Sequence, residues 1–363
     1  MKNLVLIFVV MILIYLFSFD RTDLMSAEEG KRGKPLIAAV RPPLRETPVF
    51  NAAREKAPLP RKVVLETAEE PFLQYARVVS LANSLYTLSC GGSTRGTFLR
   101  HDQEGQLIKS YNRKGHGPGE LSDPVFLNIA GDQLFISEGR NPIVHILDPE
   151  MNYTGKLSFR GVGQPLFVTD RYLGVWGYNR TSTKDEAGYM LTLNDRISGR
   201  VVKRLVPVHK ALFSLALCGG AALFEQKIYA ITANTGFIDI IDLPSLKTTR
   251  LDPHDGIYIV APEPWRKWSA KHPEGTRIQR VRAWQATFPI PVDIGVVRNR
   301  LIVLYAKGED YFYNVRDLNG ALISRNHAVA IPHPMLNGTR LEGIVPTEDD
   351  RQWYAFVDLN ELL

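Results

Sequence analysis

From Phe72 onward the chain is a succession of short apolar runs broken by polar or small turn residues, the signature of β-strands rather than helices. Arg113–Asp148, RKGHGPGELSDPVFLNIAGDQLFISEGRNPIVHILD, shows the unit most clearly. The glycines and proline of GHGPGEL continue neither a helix nor a strand, so Gly115–Glu120 reads as a fixed loop. Two β-patterned runs follow, split by Gly131-Asp132, and a third begins at Ile143. Loop, strand, turn, strand, turn, strand is one blade of a β-propeller.

The third strand and its turn recur as TFLRHDQEG, IVHILDPEMNYTG, YMLTLNDRISG, FIDIIDLPS, YFYNVRDLNG and WYAFVDLN, marked by Asp102, Asp148, Asp195, Asp242, Asp317 and Asp358. Successive marks lie 46, 47, 47, 75 and 41 residues apart. A period of about 45 residues suits a four-stranded blade, so the marks predict six blades. Second strands fall in register at Leu85–Leu88, Leu134–Ser137, Leu173–Trp176, Ile228–Ile231 and Leu301–Leu304. The aspartates read as hairpin caps, because a carboxylate there accepts from backbone amides a residue or two onward. After WYAFVDLN only Glu361, Leu362 and Leu363 remain, too few for an outer strand. The β-patterned KVVLET of residues 62–67 is expected to pair with the terminal blade and lock the ring, since an open edge invites aggregation. Deleting residues 61–70 should therefore destabilise the whole domain, and deleting 22–58 should not.

The N-terminus follows another pattern. Leu4–Phe19, LVLIFVVMILIYLFSF, is apolar throughout, with Lys2 before it and Asp20-Arg21 after it. Residues 1–20 read as a signal anchor, with a cleaved signal peptide as the alternative, since no clean small-residue cleavage site follows. Lys2 should stay cytoplasmic, so the remainder is exported. Residues 21–61, rich in Arg, Lys, Glu and Pro without sustained period, read as a flexible tether. Residues 62–363 are left for the propeller.

Composition adds exclusions. A formal charge of +6 over 363 residues does not by itself indicate nucleic acid, and export argues against it. Two cysteines, Cys90 and Cys218, make neither a disulfide scaffold nor a cysteine metal site. The eight histidines show no H-E-x-x-H or H-x-H spacing, and there is no G-x-S-x-G elbow, so no catalytic residue, metal or cofactor is assigned.

The 75-residue step contains an insertion at 261–291, APEPWRKWSAKHPEGTRIQRVRAWQATFPIP, with three of the five tryptophans and a local charge balance of +4. Arg277–Ala286 is proline-free and predicts a short helix with Ile278, Val281 and Gln285 on one side. Tryptophan beside arginine suits stacking on a sugar, an aromatic ring or a protein hot spot. The candidate binding residues are Trp265, Arg266, Trp268, Arg277, Arg280 and Trp284, facing a protein or carbohydrate partner. The competing reading is that these tryptophans only staple the excursion to the propeller.

Gly115, Gly117, Pro118, Gly119, Glu120, Leu121, Pro124 and Asp148 resemble the G-x-G-P-G-E-[FL] loop and V/I-x-D turn of six-bladed propellers of the NHL-repeat-like or TolB-like group. That group is frequent among exported bacterial proteins. The likeness is specific in this blade and confined to strands and aspartates elsewhere; Ser137–Ile143 departs from the group's Asp-x-x-N-x-R-I pattern. It implies an all-β six-bladed fold; with the apolar N-terminal run, the expectation is a monomer held at the periplasmic or extracytoplasmic face of an inner membrane. Function follows only as a non-catalytic binding or protein-interaction module; the alternative is a hydrolase or lactonase acting at the central channel. Related lactonases hold calcium there, and the inner-strand candidates Asn128 and Asp293 are too few for that ion's six to eight oxygens.

Overall fold

The computed structural model describes residues 58, 60–65, 76–90, 95–139, 141–161, 163–180, 187–209, 219–232, 237–251, 262–276, 279–280, 283–284, 286–331, 334–346 and 352–363. Contacts divide the chain into Met1–Ala39, outside the described residues, and Val40–Leu363, which holds everything below. The apolar run 4–19 and the tether through residue 57 also fall outside them. No described helix is long and apolar enough to cross a membrane.

The first described strand, β1 (Arg61–Val64), stands apart in sequence from the sheet it joins. Five antiparallel four-stranded sheets then follow in chain order. Blade 1 is β2 (Ala76–Leu81), β3 (Ser84–Ser89), β4 (Phe98–His101) and β5 (Leu107–Tyr111). Blade 2 is β6 (Pro124–Ala130), β7 (Gln133–Glu138), β8 (Ile143–Leu147) and β9 (Tyr153–Ser158). Blade 3 is β10 (Gln164–Val168), β11 (Tyr172–Arg180), β12 (Ala187–Asp195) and β13 (Val201–His209). Blade 4 is β14 (Gly219–Phe224), β15 (Lys227–Thr232), β16 (Ile238–Asp242) and β17 (Lys247–Leu251). Blade 5 is β18 (Ile290–Val297), β19 (Arg300–Lys307), β20 (Asp310–Asp317) and β21 (Leu322–Val329). Blade 6 is β22 (Met335–Asn337), β23 (Arg340–Pro346) and β24 (Gln352–Asp358), with β1 as its fourth strand. In β1, Val63 faces Tyr354 and Val64 faces Trp353 in an antiparallel register. The strand starts one residue before the expected Lys62 and stops at Val64; Glu66 and Thr67 lie outside the described residues.

Every second and third strand read from the sequence is present. The middle strands are buried on both faces, as in β3 and β7, because each sheet packs between two neighbours. Apolar clusters accordingly fill the gaps between consecutive sheets. Leu88, Phe98, Leu127 and Leu134 join blades 1 and 2, and Leu191, Leu205, Ile228 and Ile241 join blades 3 and 4. Leu65, Val78, Leu85 and Tyr354 join blade 1 to blade 6.

All six marker aspartates cap their turns. Asp102 Oδ1 accepts from the amides of Glu104 at 3.0 Å and Gln106 at 2.8 Å, and Asp317 Oδ1 from those of Asn319 at 2.9 Å and Ala321 at 2.8 Å. Asp195 takes the Ser198 amide and hydroxyl at 2.7 and 2.8 Å. Asp148, Asp242 and Asp358 receive the amides of Asn152, Ser245 and Asn360.

The GHGPGEL loop is a joint between blades 1 and 2. Glu120 Oε2 accepts from the Gly117 amide at 2.8 Å, and the Leu121 amide donates to the Arg113 carbonyl at 2.8 Å. The Tyr111 hydroxyl donates to the Gly119 carbonyl. Gly119 sits at φ +75°, and a Cβ there would lie 2.9 Å from Tyr153. Only glycine meets both demands.

Candidate functional site

An antiparallel meander sends the first-to-second and third-to-fourth turns to one face, and the second-to-third and blade-to-blade connections to the other. The aspartate turns therefore occupy one face. The insertion leaves the end of β17 and returns to the start of β18 on the opposite one, which also carries the GHGPGEL loop and the β3–β4 and β7–β8 loops.

Within the insertion, α1 (Pro262–Lys271) is a helix that sequence reading missed. Pro262 and Pro264 obscure it, yet both fall in the first turn, where amides have no intrahelical partner to lose. Downstream, the Thr276 hydroxyl accepts from the Gln279 amide at 3.3 Å, and the Gln279 side-chain oxygen accepts from the Thr276 amide at 2.7 Å. This reciprocal capping box opens a second helical segment, with helical backbone at 279–280 and 283–284. T-x-x-Q was the signal that could have placed its start. Ile278, Val281 and Gln285 lie outside the described residues.

Of the six candidate residues, the side chains of Trp268, Arg280 and Trp284 are described. Trp268 is half-buried on α1, its ring stacked on His272 with centroids 4.1 Å apart. His272 Nδ1 lies 2.9 Å from the Trp268 carbonyl. Trp284 is buried and packs edge-on against Phe288 at 5.1 Å, a contact within the insertion. Arg280 Nη1 donates to the Pro273 carbonyl at 3.0 Å, tying the second helical segment to the stretch that follows α1. Trp265 and Arg266 belong to α1, but their side chains lie outside the described residues, as does Arg277 entirely.

The central channel is lined by the first strand of each blade. Asn128 on β6 donates from Nδ2 to the carbonyls of Pro165 at 3.1 Å and Leu166 at 2.9 Å on β10. Asp293 on β18 accepts from its neighbour Ile294 at 2.9 Å and from the Leu336 amide of β22 at 3.1 Å. Both side chains thus clamp one inner strand to the next. Burial pushes the Asp293 carboxyl up to about 6, against the pull of those amides and of Arg77.

Arg77 on β2 is electrostatically coupled to Asp293. Its guanidinium carbon is 4.8 Å from the Phe126 ring centre, and Nη1 touches Met335 Sδ. Depth within the molecule lowers its affinity for a proton, yet its side chain keeps contact with solvent, as a channel-facing residue should. Around the rim, Arg95 pairs with Asp123, and Cys90 is a buried free thiol, pushed up to about 11 chiefly by burial. Beside that pair, buried Glu138 accepts from the Ser122 hydroxyl at 2.6 Å and from the amides of Ser122 at 3.1 Å and Asp123 at 2.6 Å. His254, Asp255 and His333, which the sequence offers as a polar lining of the channel, lie outside the described residues. Among those described, no three His, Cys, Asp or Glu side chains gather closely enough to hold a metal ion.

Six radial four-stranded sheets define an all-β six-bladed propeller. Its fold is shared with solved structures despite scant sequence likeness. A candidate exported protein of Bacteroides fragilis superposes with a TM-score of 0.55 at 10% identity, covering 82% of this chain and 94% of that one. A member of the DUF4221 family from Bacteroides vulgatus gives a TM-score of 0.57 at 9% identity, over 83% and 97% of the two chains. At such identities the likeness shows the fold alone. No protein-family model and no curated protein sequence matches the chain.

Proposed function

We propose that this chain is an exported propeller, held to the membrane by residues 4–19, whose insertion-bearing face is a non-catalytic binding or protein-interaction module. The observation that carries the reading is α1 itself. It brings Trp268 only half-buried, with basic residues around it, to the face where the blade-to-blade loops gather. The apolar N-terminal run supports export, and the Bacteroides fragilis neighbour's description as a candidate exported protein agrees with it. The GHGPGEL motif supports kinship with NHL-like propellers, and β1 serves as the latch of the ring.

Among the described residues, the channel carboxylate open to a hydrolase or lactonase reading is Asp293, whose two oxygens are already engaged by amides. Its geometry favours joining blades over proton transfer. Trp268→Ala and Arg266→Ala, made in the full-length protein, test the binding reading. Binding to envelope proteins and to soluble polysaccharides should fall at least tenfold, with the melting temperature within about 2 °C of wild type. Undiminished binding would refute the assignment of this face.

A further inference from the structure

We propose that the insertion-side mouth of the central channel binds a singly charged carboxylate carrying an apolar body, with Arg77 as its cation and Phe126 and Met335 as its walls. The site does not depend on the insertion binding anything.

The placement follows from strand position. Arg77 is the second residue of β2, Phe126 the third of β6, Met335 the first of β22 and Asp293 the fourth of β18. Inner strands start at the insertion face, so all four residues stand at one mouth of the channel. They come from blades 1, 2, 5 and 6, and Arg77 and Met335 are 258 positions apart in sequence.

The chemistry follows from what Arg77 lacks. Its contacts among the described residues are a thioether and an aromatic face, neither of which satisfies a planar fork of five N–H donors. Asp293, the carboxylate electrostatically coupled to it, accepts from two backbone amides and makes no ion pair with it. The thiol of Cys90, also coupled to Arg77, is held protonated by burial and supplies no counter-charge. An exposed arginine without a carboxylate is ordinary; a deep one facing the channel of a ring is placed to pair with something that enters. A guanidinium matches a carboxylate bidentately. One cation next to a carboxylate suits a single negative charge better than a phosphate dianion. The Phe126 face and Met335 would then flank an apolar chain rather than a sugar.

Isovalerate, its neutral amide isovaleramide and inorganic phosphate, titrated separately against the full-length protein, test this by thermal melting. Isovalerate should raise the melting temperature with a saturating dependence, as a ligand of the native state does. Isovaleramide and phosphate should not. Arg77→Met should abolish the shift, and Arg77→Lys, which keeps the charge but loses the fork, should weaken it about tenfold. Arg77→Lys alone decides if Arg77→Met fails to fold. Trp268→Ala should leave the isovalerate shift intact, which separates this site from the face proposed above. Equal shifts with acid and amide, a larger shift with phosphate, unchanged affinity in Arg77→Lys, or no shift at all would each overturn the proposal.

Discussion

Leu65→Ala is the sharpest test of how the ring holds. Leu65 follows β1, is 5% exposed, and packs with Val78 and Leu85 of blade 1 and Tyr354 of blade 6. Trimming a buried leucine to alanine typically costs about 3–5 kcal/mol, counting both lost transfer energy and the cavity left. Leu65 lies at the end of a strand of four residues that can relax into the gap, so about 2–3 kcal/mol is the better figure here. At roughly 2–4 °C per kcal/mol for a domain of this size, the melting temperature should fall by about 5–10 °C. Leu322→Ala, at an outer-strand leucine that is 39% exposed, is the control and should shift it by no more than about 2 °C. Amide hydrogen exchange supplies the second readout. If β1 latches the ring, Trp353–Val357 of β24 should lose protection together with the inner strands, in one cooperative step. If β1 merely lies on the edge, those amides alone should exchange faster while the melting temperature stays within about 2 °C of wild type. That second outcome would refute the latch.

Deleting residues 61–70 should lower the melting temperature more than Leu65→Ala does, whereas deleting 22–58 should leave it unchanged. Gly119→Ala should cost about 2–3 kcal/mol in denaturant unfolding, from a left-handed φ combined with the Tyr153 contact; a cost below about 0.5 kcal/mol would sink the joint reading. Trp284→Ala should destabilise by about 3 kcal/mol as a buried side chain, while Trp268→Ala costs under about 1 kcal/mol, measured by the same unfolding. Glu342 is buried, which pushes its carboxyl up to about 7 despite bonds from Tyr354 and Asn337, so the native state keeps a proton that the unfolded chain releases near pH 4.5. Its contribution is fully present below that lower value and is lost as pH rises through about 7, a loss of about 3 kcal/mol, and Glu342→Gln should flatten this slope of stability against pH. An unchanged slope in the variant would assign the dependence elsewhere.

The parts of this fold that could be read from the chain are those whose physics is local. A turn aspartate needs only amides one to four residues onward, and all six marks behave so. A strand buried on both faces writes itself as a continuous apolar run, which is why LFIS and LIVL were legible as second strands. The GHGPGEL joint was legible because its glycines and proline continue neither helix nor strand, and Gly119 takes up the left-handed φ of +75° that glycine allows. Helix α1 was hidden by prolines whose placement in a first turn reverses their usual meaning. Residue type and proximity in sequence do not tell a buried tryptophan from a half-buried one: Trp284 is buried against Phe288, and Trp268 is half-buried. Arg77 shows the opposite failure. Its neighbourhood in sequence, YARVVSL, is an ordinary β-run, and nothing in it announces a cation in a channel. Only closing six blades around an axis brings Phe126, Asp293 and Met335 to its side, from strands that share no local pattern. The scaffold is therefore written in short-range repeats, while the channel mouth is written in single residues near the starts of inner strands from different blades.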